Sequence, residues 1–455
     1  MEKIKLLDLI RAVRGSYGYP ADCDITGIST DTRTIENGSV FIAIKGENFD
    51  GHDYVLKAME AGAAACITER AVEGARCIVV DSSRQALLDA AGYYRSRFSI
   101  PVIGVTGSVG KTTTKDMTAL VAAQKYKTLK TQGNLNNEIG MPKTLLGLDS
   151  SYGAAVIEMG MNHKGEISRM SMSCKPDVCM ITNIGVSHIE NLGSREGILE
   201  AKLEILDGAA SGAPLILCRD DKLLSKVELY GRRAVYYSYN KKDCDVYASN
   251  VNASEKRVSF KINYKGGSID AVINCPGEHN VRNALAAFCA GMEIGVEPED
   301  IVKGLAQFKP EGMRQNVVEK DGVTYILDCY NAAPDSMKAG LTVLGQAKTE
   351  GKRYCVLGDM LELGKSSAKY HRTVGESVPV SKCDELLCFG SESVNYIEGA
   401  ADKGFDRENA KHFDSREELA GYLKGRLKAG DCVLIKGSRG MKLEEVYEAL
   451  TADGR

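Results

Sequence analysis

One short stretch holds the residues best suited to chemistry: Ile103-Gly104-Val105-Thr106-Gly107-Ser108-Val109-Gly110-Lys111-Thr112-Thr113-Thr114. Spaced glycines let backbone N–H groups approach an anion, and a lysine and hydroxyls follow directly, which is the arrangement that holds a nucleotide phosphate. Lys111 would reach the outer phosphates, and Thr112 would offer its hydroxyl to a magnesium ion. Gly107, Ser108, Val109, Gly110 and Thr113 would complete the cradle, helped by the positive end of a helix dipole. The spacing is shorter than the strict phosphate loop, which would place a glycine at Val105. Here the pattern is Gly-x-x-Gly-Lys-Thr. The plainer alternative is a glycine-rich connection carrying a surface lysine.

Other residues could serve the same centre. In Ala154-Ala155-Val156-Ile157-Glu158-Met159-Gly160 a carboxylate ends an apolar run, where an acid commonly completes a magnesium site. His188 follows a second such run at 178–185, and Lys202 lies in a helical stretch with Glu200 and Glu204. An ammonium 4 Å from a divalent cation would be repelled by about 8 kcal/mol at an effective dielectric of 20. A Lys202 near the metal must therefore point away or lose its charge, and a carbamate would reverse the sign. A surface lysine in an i,i+4 charge pattern is the alternative. The loop Thr131-Gln132-Gly133-Asn134-Leu135-Asn136-Asn137-Glu138 suits hydrogen bonding to a polar substrate through Asn134, Asn136 and Asn137, or is a solvated turn. Asn280 and Asn283 lie three apart at a helix start and could read an adenine edge. Near the amino terminus stand Ser29-Thr30-Asp31-Thr32-Arg33 and Lys45-Gly46-Glu47-Asn48-Phe49-Asp50-Gly51-His52. Arg33 and Lys45 there could serve an anionic ligand such as a diphosphate, with solvated turns as the alternative.

These residues need elements to hold them. Residues 101–105 read as a buried strand, and 115–125 as the helix after the glycine turn. Apolar runs at 39–44, 63–67 and 77–80 predict strands in a small mixed α/β segment, with helices over 54–61 and 84–98. Residues 233–273 are rich in β-formers, and the chain then enters a small-residue helix near 280. Four apolar runs at 324–328, 353–357, 385–389 and 432–435 alternate with helical stretches, which predicts a Rossmann-like parallel sheet. Polar loops follow each run, among them Asp328-Cys329-Tyr330-Asn331, and ligands bind at such strand ends. The fold class is α/β in three domains: a small mixed α/β domain at 1–98, a central phosphate-loop ATPase domain with a mainly parallel sheet at 99–312, and a Rossmann-like domain at 313–455.

Composition narrows the class. A chain of 455 residues makes about three domains. A net charge of −3 without a long basic run implies no nucleic-acid partner. No apolar run reaches the roughly twenty residues that span a bilayer. The start MEKIKLLDLIRAV reads as an amphipathic helix rather than a signal peptide. Fourteen cysteines without CxxC spacing, many within apolar runs, behave as buried hydrophobes in a reducing compartment, so a cytoplasmic location is expected.

Taken together, TGSVGKT, TQGNLNNEIGMP, IEMG, TNIG with His188, EAK with Lys202, and GEHNVRNALAA resemble the Mur ligase family over essentially the whole chain. DCYNAAPDSM, LGDMLELG, KGSRGMKLE and the amino-terminal STDTR resemble its branch that adds D-alanyl-D-alanine to UDP-N-acetylmuramoyl-tripeptide. The DYAH and DNPR motifs of the preceding ligase are absent. Ala333 stands where this branch usually has asparagine, which weakens any polar role there. The resemblance implies ATP and Mg2+ as cofactors, an acyl-phosphate intermediate, and a place in peptidoglycan synthesis for cell-wall growth. It implies catalytic roles for Lys111, Glu158, His188 and Lys202, with Thr112, Glu158, His188 and a carbamylated Lys202 as metal ligands. It also implies nucleotide contacts from Asn280, Asn283, Arg314 and Asp328, and substrate contacts from Ser29, Thr30, Asp31, Arg33, Lys45, Asn134, Asn136, Asn137, Tyr330 and Asn331. A monomer is expected. The competing expectations are another amide ligase, similar to folylpolyglutamate synthase, and a non-catalytic precursor-binding sensor.

Overall fold

Apolar and β-branched runs build three parallel-rich sheets in a computed structural model of the chain, which describes residues 1–452 apart from Glu47, Tyr230, Glu255 and Glu311. Glu47 belongs to the second polar cluster and lies outside the described residues.

The first sheet has four parallel strands in the order Ile28–Ser29, Val40–Ile42, Ala65–Thr68, Cys77–Val79. The helix Val55–Glu60 covers one face, where Phe41 and Cys66 are buried with Val55 and Ala58. The helix Ser83–Arg95 packs the other face into the central domain's core, so one hydrophobic cluster runs from Ile42 through Leu87 to Ile103 and Phe288. The start of the chain departs from expectation. Ile4–Lys5 forms a strand against Asp24–Ile25, and only Leu6–Ala12 is helical, burying Leu6, Leu9 and Ile10 on one face. Lys5 sits extended at φ −71°, ψ 135°, which ends the helical run there.

The central sheet has nine strands: Gly267–Ile273, Val258–Tyr264, Val246–Ala253, Ala234–Ser238, Leu215–Cys218, Val178–Ile181, Val102–Thr106, Ala154–Glu158 and Thr128–Lys130. Its first three strands pair antiparallel and the others parallel. Strand order reverses around Val102–Thr106, which places the glycine turn at the topological switch point, the usual crevice for a ligand. The helix after the turn begins at Lys111, four residues before the expected 115, because Gly110 takes a left-handed φ of 83° that ends the turn abruptly.

The third sheet runs Asn316–Lys320, Val323–Asp328, Cys432–Lys436, Arg353–Gly358, Glu385–Phe389, Ala410–Phe413, with only the first pair antiparallel. Alternate side chains feed separate cores on its two faces: Ile326, Cys355, Leu357 and Leu434 on one, and Leu327, Val356, Val433 and Ile435 on the other. Two edge strands, Asn316–Lys320 and Ala410–Phe413, were not expected, since neither carries an apolar run. No helix among the described residues is long and apolar enough to cross a membrane. All fourteen cysteines are free, and most are buried.

Candidate active site

The glycine turn opens into a cavity of about 700 Å³ between the central and third sheets. Its wall brings together Ser108, Val109, Gly110, Lys111, Thr112, Thr113, Asn136, Asn137, Glu158, His188, Asn280, Asn283, Arg314, Asp328, Tyr330 and Asn331. Gly107 and Lys202 lie behind this wall, and Asn134 is exposed away from it. Because the helix starts at Lys111, the N–H groups of Gly110, Lys111, Thr112 and Thr113 have no intrahelical acceptor and face the cavity as anion donors. Lys111 Nζ folds back on the loop, donating to the carbonyls of Gly107 at 2.8 Å and Ser108 at 3.4 Å. Burial holds its ammonium below the ordinary lysine range, countered by Glu158.

Glu158 is fitted to a cation. It is 1% exposed, and its neighbouring strand pairs it beside Val105. Its Oε1 accepts from Thr112 Oγ1 at 3.2 Å and from Asn136 Nδ2 at 2.7 Å, while Oε2 is buried without a hydrogen-bond partner. An unpaired carboxylate oxygen in such a place is costly unless a cation takes it. No group of three or more His, Cys, Asp or Glu among the described residues could hold a metal alone. A magnesium ion held by a hydroxyl, one carboxylate and phosphate oxygens suits this set.

His188 reaches across to the third domain. Its backbone is left-handed at φ 63°, as is that of Glu362 at φ 64°. Nδ1 stands 2.6 Å from Glu362 Oε2, off the line of a straight hydrogen bond, and the pairing lowers the Glu362 carboxyl below the usual range. Lys202 is 2% exposed. Burial first, and Lys111 second, push its amine well below the ordinary lysine range.

The two asparagines expected to read an adenine edge are engaged within the protein. Asn280 Nδ2 donates to Pro276 O at 2.8 Å and to Gln315 Oε1 at 3.0 Å. Asn283 Nδ2 donates to Asn280 Oδ1 at 2.9 Å, and its Oδ1 accepts from Thr114 Oγ1 at 3.2 Å. This pair therefore ties the phosphate-loop helix to the segment joining the two domains. In that segment Arg314 lies 3.8 Å over the Tyr330 ring. Asp328 accepts from Gln315 N at 3.3 Å and from Lys436 Nζ at 2.6 Å. Lys436, 1% exposed, also donates to Asn331 O at 3.3 Å. Gln315 escaped the sequence reading, whereas Lys436 opens one of the polar loops that follow the apolar runs of the third domain. Asn137 Oδ1 accepts from Gly140 N at 2.8 Å and so shapes its own loop. Ala333 begins the helix Pro334–Gln346, and its backbone N–H donates to Ser336 Oγ at 3.0 Å in place of a side-chain cap.

The amino-terminal candidates divide. Ser29, Thr30 and Asp31 line a second cavity of about 450 Å³ in the seam between the first and central domains, with Lys143 on its opposite wall. Arg33 and Lys45 line neither cavity. Arg33 closes on Asp31 through Nη2 at 2.6 Å and holds that carboxyl down at about 2.

Comparison with known proteins supports the family and the fold. Three family models match: Mur ligase family, catalytic domain, at residues 24–102; Mur ligase middle domain at 105–291; and Mur ligase, glutamate ligase domain, at 313–439. UDP-N-acetylmuramoyl-tripeptide--D-alanyl-D-alanine ligase of Bacillus subtilis is 41% identical over 99% of both chains. A crystal structure of MurF from Acinetobacter baumannii superposes with a TM-score of 0.92 at 32% identity, covering 100% of each chain. MurF ligase from Thermotoga maritima in complex with ADP gives 0.83 at 30% identity, covering 93% of this chain and 96% of that one. The chain belongs to the Mur ligase family.

Proposed function

We propose that this chain is the ATP-dependent ligase that joins D-alanyl-D-alanine to UDP-N-acetylmuramoyl-tripeptide, forming a C–N bond in peptidoglycan precursor synthesis, as a monomer in the cytoplasm. The observation that carries the reading is one cavity in which the free amides of residues 110–113, Lys111 and the unpaired Glu158 oxygen converge beside the third domain's loops. Relatives bearing that activity in their names, matched over nearly their full length, support it.

The residues suggest a division of labour. Residues 1–98 hold the UDP-sugar, 99–312 the ATP, and 313–455 the dipeptide. The tripeptide carboxylate attacks the terminal phosphorus, ADP leaves, and an acyl phosphate forms. The dipeptide amine then attacks the acyl carbon, loses a proton, and expels phosphate. Lys111 and the helix-start amides hold the charge that builds on the transferring group. Thr112 and Glu158 would hold a magnesium ion, with His188 and a carbamylated Lys202 serving a second; when bound, the metal neutralises charge between two anionic reactants. Arg314 and Tyr330 fix the segment over which the third domain meets the nucleotide, and closure there excludes water. Phosphate release tests the proposal: it should keep step with amide formation and require both the tripeptide and the dipeptide. Release indifferent to the dipeptide, or binding without turnover, would refute it.

A further inference from the structure

The shortened phosphate loop is braced from outside itself. The strand Val178–Ile181 pairs Ile181 with Thr106, so the next residues, Thr182 and Asn183, run alongside the turn. Asn183 Oδ1 accepts from the N–H of Ser108 at 3.1 Å and of Val109 at 2.8 Å. The Asn183 main-chain carbonyl takes the Ser108 N–H as well, at 3.1 Å. From the same side, Thr182 Oγ1 donates to the Val109 carbonyl at 2.7 Å. The loop approaches so closely that a Cβ on Gly107, at φ +151°, would stand 1.9 Å from Thr182 Oγ1. Two loop amides are thus committed to a side chain, whereas those of residues 110–113 have no intrahelical acceptor.

We infer that Asn183 is a positioning residue for phosphate binding: its carboxamide oxygen takes the place of an anion at Ser108 and Val109 and fixes the short loop in its receiving shape. With the first half pinned, the N–H donors of residues 110–113 are held together on the cavity wall, and Lys111 Nζ rests on the loop's own Gly107 and Ser108 carbonyls. Thr182 pins the carbonyl side, so the turn can neither flip a peptide nor drift from the strand. The inference rests on the nucleotide reading of the cavity.

The test compares adenosine with ADP, in magnesium, on the native chain and on N183A and N183D, by calorimetry, melting temperature and hydrogen exchange at residues 108–109. The native chain should bind ADP well above adenosine. N183A should hold adenosine within about twofold, weaken ADP by about ten- to a hundredfold, and speed exchange at Ser108 and Val109. Its KM for ATP should rise while kcat at saturating ATP stays within about fivefold. N183D keeps the acceptor oxygen and should keep the amides protected; lost protection there would overturn the inference even if N183A does not fold. ADP bound as tightly or more tightly by N183A, or equal losses for adenosine and ADP, would also overturn it. A native chain that binds neither ligand would sink the nucleotide reading itself, and this inference with it.

Discussion

The two cavities reach polar chemistry in different ways. In the central one, a strand, a turn and a helix contiguous in sequence present backbone amides and one lysine, and the flanking strand adds Glu158. In the seam beside the first domain, Ser29, Thr30 and Asp31 come from one domain and Lys143 from another, and the expected cation Arg33 is spent on Asp31. A backbone anion site is fixed by local geometry, whereas a side-chain site depends on which partner each charge finds. The comparison can be broken at either end.

The largest effect belongs to Lys111. Lys111→Ala should lower turnover by about a thousandfold while leaving UDP-precursor binding within about twofold, read by phosphate release and calorimetry. Next comes Lys202→Ala, expected to lose about a hundredfold and to regain activity with a short-chain carboxylate; labelled bicarbonate should give the native chain a carbamate carbon-13 signal. Glu158→Gln should weaken magnesium-dependent nucleotide binding by about tenfold and leave metal-free adenosine binding unchanged. In the seam, Lys143→Ala should raise the precursor KM by about tenfold, and Arg33→Ala by less than about twofold, because an exposed cation already paired contributes little. The reverse order would place the precursor's anionic group against Arg33 rather than against Lys143.

The sequence made the glycine turn legible because all its parts lie within twelve residues, and the place of Glu158 legible because a carboxylate after four apolar residues needs a reason. The three-sheet α/β plan was legible in the apolar runs, but the polar edge strands Asn316–Lys320 and Ala410–Phe413 were not, since pairing rather than composition makes them strands. The fate of Asn280 and Asn283 was hidden for another reason. Asn280's partner Gln315 lies 35 positions beyond it, in a segment with no periodicity, and Asn283's partner Thr114 lies 169 positions before it. The pairing of Arg33 went unread although its partner sits two residues away, where short-range pairing competes with a ligand. His188 was found from its strand, yet Glu362 arrives from another domain and could not be read in advance.

The central claim is that a triphosphate rests on the amides of residues 110–113. A crystal structure with magnesium and a non-hydrolysable ATP analogue tests it most directly. The account predicts the β- and γ-phosphates within hydrogen-bond reach of those amides and Lys111 Nζ, with the metal on Thr112 and Glu158. A triphosphate bound elsewhere, with that turn left empty, would contradict it.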